Sequence, residues 1–100
     1  MIKPEDLKLT YEEFVSIVEK HEEVAVNEWK RENPEDRDCN IWISFYLSKD
    51  LIKEEYLTRL QDTYISYGWG AVEIGFVNDD RTGCTRLHIR LYFQPLVKSM

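Results

Sequence analysis

Near the end of the chain, Val72-Glu73-Ile74-Gly75-Phe76 and Leu87-His88-Ile89-Arg90-Leu91 alternate apolar residues with polar or small ones at period two. A pleated strand with one buried face is what places every second side chain on one side. The polar stretch Asn78 to Gly83 between them has turn composition. Two strands, Trp69 to Val77 and Thr85 to Phe93, therefore pair as an antiparallel hairpin. Gln94 and Pro95 end the second strand, since proline cannot continue a ladder. A lone hairpin is marginal in water, so the rest of the chain has to provide a further strand and a covering layer.

Ile41, Ile43, Phe45 and Leu47 share one side of a third alternating segment, Ile41 to Leu47. Upstream, Leu9-Thr10-Tyr11-Glu12-Glu13-Phe14 carries a helix start. Thr10 caps, Glu13 reaches back to its amide, and Leu9 packs on Phe14 as a staple. Tyr11, Phe14, Val15, Val18, Ala25 and Trp29 then recur at helical spacing, with Glu12, Glu19, Glu23 and Lys30 off the stripe. That helix stops near Glu32, because Asn33 precedes Pro34 and is pushed out of the α region. Pro34 to Asp38 is a polar loop. A second helix, capped by Ser48 or Asp50, has the stripe Ile52, Tyr56, Leu60, Tyr64 and Tyr67 and ends at Gly68. The order α-β-α-β-β defines an α+β domain, with two helices packed on one face of a three-stranded antiparallel sheet. A right-handed crossover puts both helices on that face, and the simplest antiparallel arrangement sets the last strand in the centre.

At 100 residues, 43% of them hydrophobic, the chain is one domain, residues 1–100, able to bury roughly two-thirds of its unfolded surface. No apolar run approaches the ~18 residues of a membrane span, and Met1 to Leu9 lacks the hydrophobic core of a signal peptide. Cys39 and Cys84 begin different strands, and in antiparallel neighbours those starts lie at opposite ends of the sheet. A disulfide needs Cα atoms within ~7 Å, so two free thiols in a reducing, cytoplasmic setting are expected. No cofactor or metal motif is present. Residues 1–38 hold 12 acidic and 6 basic side chains and so carry the whole net charge of −6. Such acidity disfavours duplex DNA, which is bound by neutralising phosphates.

The inner set of strand residues is Ile41, Ile43, Phe45, Val72, Ile74, Phe76, Leu87, Ile89, Leu91 and Phe93. A register with Val77 opposite Cys84 sets Ile74 against Leu87 and Val72 against Ile89. On the outer face it pairs Glu73 with His88, Ala71 with Arg90, Gly75 with Arg86, and Trp69 with Tyr92. The first strand adds Trp42, Ser44 and Tyr46. Both helices are spent on the inner side, so Trp42, Tyr46, Trp69, Arg86, His88, Arg90 and Tyr92 form an open face unless a terminus folds over it. Cross-strand aromatic pairs and arginine stems also stabilise sheets without any partner. Trp, Tyr and Arg are nonetheless the residue types enriched at interface hot spots.

Three functions are compatible with that face. The first is a small acidic, non-enzymatic protein-binding module, an inhibitor, an adaptor or a homodimer through the sheet. In size, acidity and aromatic content the chain looks like the early proteins by which tailed phages inhibit host enzymes. The second is single-stranded RNA or nucleotide binding, with bases stacked on sheet aromatics between arginines. Against it stand the net charge and the missing glycine-and-aromatic strand motif of RNA-recognition sheets. The third is a small endoribonuclease, whose weak catalytic candidates are Glu73, Arg86, His88 and Arg90 as base, phosphate clamps and acid. That set is similar by residue type to small microbial ribonucleases. His21, near Glu22, reads as an ordinary helix residue.

Overall fold

The computed structural model describes residues 1–96. A 3-10 turn, Pro4–Leu7, precedes helix α1, Tyr11–Arg31. Both bonds of the capping box form: Glu13 N–H donates to Thr10 Oγ1 at 3.1 Å, and Thr10 N–H to Glu13 Oε1 at 3.0 Å. The far end is closed by Arg37. Its guanidinium donates to the carbonyls of Glu32 (3.1 Å) and Lys30 (3.0 Å) and lies over the Trp29 ring. A cation there also complements the negative end of the helix dipole. Phe14 and Val18 are fully buried, while Tyr11, Val15, Ala25 and Trp29 pack partly against the core.

Strand β1, Asn40–Tyr46, follows. The second helix begins later than expected. Ser48 caps only a 3-10 turn, Lys49–Leu51, its Oγ accepting from Asp50 N–H. The backbone re-extends at Ile52, and α2 runs Glu55–Ser66. Ile52 is buried ahead of the helix, and Tyr56, Leu60 and Tyr64 form its inner stripe. Tyr67, expected on that stripe, is exposed. Gly68 takes φ +105°, the left-handed conformation that terminates helices.

Strands β2, Ala71–Asn78, and β3, Thr85–Tyr92, complete a sheet of order β1-β3-β2, antiparallel throughout, with β3 central as expected. Helix α1 packs on β1 and α2 on β2. Leu87, Ile89 and Leu91 of the central strand are wholly buried.

The hairpin register differs from the expectation by two residues. Ile74 faces Ile89, Val72 faces Leu91, Glu73 faces Arg90, Gly75 faces His88 and Val77 faces Arg86. The cause is the turn. Asp79 N–H bonds Cys84 O (2.8 Å), Gly83 N–H bonds Asp79 O (2.9 Å), and Gly83 adopts φ +69°. This tight loop draws Asn78 into the ladder opposite Thr85. A shift of two preserves which face each side chain takes but changes every partner.

Phe93, expected inside, is 43% exposed and lies between Trp29 and Trp69, ring centroids 5.3 and 5.2 Å away. Cys39 and Cys84 are free, just before β1 and at the head of β3, at opposite ends of the sheet. No helix among the described residues is long and apolar enough to cross a membrane.

Candidate binding face

Six of the seven candidate face residues sit where the alternation places them. Across β1 and β3, Trp42 faces Arg90, Ser44 faces His88 and Tyr46 faces Arg86. Each aromatic holds a guanidinium over its ring: Arg90 lies 4.9 Å from Trp42 and Arg86 4.4 Å from Tyr46. Arg86 Nε also donates to Ser44 Oγ at 3.2 Å. The result is a ladder of alternating ring and cation, its outer members Trp42 and Tyr46 exposed by 52% and 54%. Tyr92, beside Ala71, donates its hydroxyl to the Glu73 carboxylate.

Trp69 is not part of this face. It precedes β2, where Gly70 N–H donates to Tyr92 O at 2.8 Å although Tyr92 is already the register partner of Ala71. Two residues thus oppose one, a bulge that reverses the side on which the preceding side chain falls. Trp69 is half-buried against the core and meets Phe93, together with Tyr64 in a separate hollow between α1 and α2. Position 70 favours glycine, because an added Cβ would lie 2.3 Å from the Gln94 carbonyl carbon and something would have to shift.

The Glu73–His88 pair expected from the sequence is not formed. Glu73 is engaged by Tyr92 and faces Arg90, while His88 lies between Ser44 and Gly75 with its ring edge-on to Trp42 at 5.4 Å. Burial, and then the charges of Arg86 and Arg90, hold the His88 imidazole below its ordinary pKa of 6.5. A neutral imidazole between two arginines has no carboxylate to orient it, which weakens the acid–base arrangement cleavage would need.

Sequence reasoning missed the hairpin tip. Asp79 accepts the Tyr46 hydroxyl at 2.9 Å, and this bond, with Arg81 N–H, lowers the Asp79 pKa. The tip thereby leans over the face and closes one side of a hollow of about 750 Å³. Val77, Arg86 and His88 line it from the sheet, Trp42 and Ser44 from β1, and His21, Val24 and Glu28 from α1 beyond the β1 edge. His21 is stacked on Phe45 at 4.2 Å and nearly parallel, as a packed helix residue would be. The N-terminal segment is anchored away from this surface, Leu9 N–H bonding Leu51 O and Tyr56 Oη bonding Leu9 O. Among the described residues no group of three or more His, Cys, Asp or Glu side chains is placed to hold a metal. No family model matches the chain, and neither a curated protein nor a solved structure matches it significantly.

Proposed function

We propose that the protein is a non-enzymatic binding module that engages a partner protein through Trp42, Tyr46, Arg86 and Arg90. The observation carrying this reading is the exposed ring-and-cation ladder on the face opposite both helices. Large contiguous aromatic patches are uncommon on monomers, and these residue types supply most interface energy. Two arginines set in an otherwise acidic chain favour a partner surface bearing carboxylates. Base stacking is less favoured, because the Trp42 and Tyr46 rings each already carry a guanidinium on one face. The ribonuclease reading lacks the Glu73–His88 contact.

The test pairs folding with binding. Proteins captured from source-cell extract by immobilised wild type should be lost with Trp42→Ala and with Arg90→Ala, and kept with Glu12→Ala. Trp42→Ala should weaken binding by ~2 kcal/mol or more, the scale of a hot spot. Equal capture by all variants sinks the reading, as does RNA cleavage that disappears with His88→Ala.

A further inference from the structure

Strand β1 is a sheet edge, and its open side can be read from the ladder. Leu47 N–H bonds Thr85 O, so the odd-numbered residues of β1 turn their backbone groups toward β3. By alternation, Trp42, Ser44 and Tyr46 turn theirs outward. The segment Asn40–Tyr46 contains no proline, no lysine and no charged side chain, the devices that normally blunt an exposed edge. The other edge differs: Gln61 Nε2 donates to Val72 O at 3.1 Å and covers β2. The chain after β3 also leaves on the β2 side, where Gln94 abuts Gly70.

We infer that β1 pairs antiparallel with β1 of a second copy of this chain, about a two-fold axis at Ser44. The axis sets Trp42 opposite the partner's Tyr46, and Tyr46 opposite the partner's Trp42, on the outer face. On the inner side it sets Ile43 opposite the partner's Phe45.

The flanking helix supports that axis independently. His21 stacks on Phe45, and α1 runs antiparallel to β1, since Trp29 Nε1 bonds Asp38 O just before the strand. Three helical residues advance ~4.5 Å, about one and a half strand residues. Val24 is therefore level with Ser44, and both line the hollow that wraps the β1 edge. Val24 is 55% exposed. A two-fold at that level brings Val24 against its own copy. It also sets Lys20, one turn before, opposite the partner's Glu28, one turn after, and the reverse. Lys20 and Glu28 are exposed and share the Val24 stripe, so the two contacts across the axis carry opposite charges. The assembly leaves the Trp42–Arg90 and Tyr46–Arg86 ladders open and joins two of them in one six-stranded sheet. The inference concerns the strand edge and does not depend on the partner-binding reading of the face.

Light scattering over a concentration series should give twice the monomer mass of 12.0 kDa. Lys20→Glu and Glu28→Lys alone should each raise the dissociation constant about tenfold, an effect of the size expected when two symmetric surface pairs become repulsive. The double variant Lys20→Glu with Glu28→Lys should restore it. All three replace exposed side chains, so melts should stay near wild type. In the dimer the Trp42, Ser44 and Tyr46 amides should resist hydrogen exchange, and lose that protection on dilution. A monomer at every concentration overturns the inference. So does a dimer indifferent to the charge swaps, or one whose edge amides exchange freely, which is the outcome for association through the sheet face. Protection appearing only with a different protein overturns it as well.

Discussion

His88 shows what neighbours do to one side chain. Alternation alone assigns it to the outer face, and the structure agrees, but its partners depend on register, and those were legible only to within two residues. Burial, and then Arg86 and Arg90 on either side along β3, disfavour the charged imidazole once the chain folds. The folded pKa lies below the unfolded one, so neutral His88 contributes stability above about pH 6.5, lost as pH falls through the folded pKa. Wild type should therefore lose stability, relative to His88→Gln, as melts move from about pH 7 to pH 5. Parallel pH profiles for the two proteins would show that His88 is not shifted on folding. The same arginines show why residue type is a poor guide to mechanism. Glu73, Arg86, His88 and Arg90 do share a face, yet Tyr92 takes the carboxylate and leaves no acid–base pair.

At the scale of elements, periodicity was legible wherever a run was long and uninterrupted. Helix α1 begins at its capping box and ends before Asn33-Pro34, as the spacing of Phe14, Val18 and the flanking glutamates requires. Three of the departures come from local backbone events. Ser48 caps a short 3-10 turn instead of α2, and the Asp79–Gly83 turn closes tighter than a polar loop of that length suggests. The Gly70 bulge moves Trp69 to the other side of the sheet. One signal could have exposed the bulge: a glycine between Trp69 and Ala71 interrupts the alternation where the strand begins. Gly70→Ala should then cost ~1–3 kcal/mol, since Gln94 and Pro95 must move to admit the methyl. Trp69 emission should shift to longer wavelength as its contact with Phe93 loosens. A variant that melts like wild type with unchanged emission would show that the close approach at Gly70 is relieved at no cost.

The whole molecule is elongated, 55 × 29 × 27 Å with a radius of gyration of 15.2 Å, against ~13 Å for a typical domain of this length. A narrow three-stranded sheet under a 21-residue helix leaves a single thin core, in which β3, among the described strands, is the one flanked on both sides. Ile89 sits at its middle, 0% exposed and facing Ile43 and Ile74 at once. Ile89→Ala should cost ~2–5 kcal/mol, as buried aliphatic truncations do, a large share of the ~5–15 kcal/mol a domain has in total. Trp42 lies on the opposite side of the same sheet, its ring edge-on to His88 and under the Arg90 guanidinium. Trp42→Ala removes a cation–π contact of ~0.5–1 kcal/mol and the covering of a half-exposed ring, and should cost clearly less than Ile89→Ala. Denaturant melts of the two variants measure the asymmetry of the sheet directly. A Trp42→Ala loss equal to that of Ile89→Ala would mean the outer face is a second core, and the ladder of rings and cations would then be structural and not a surface kept for a partner.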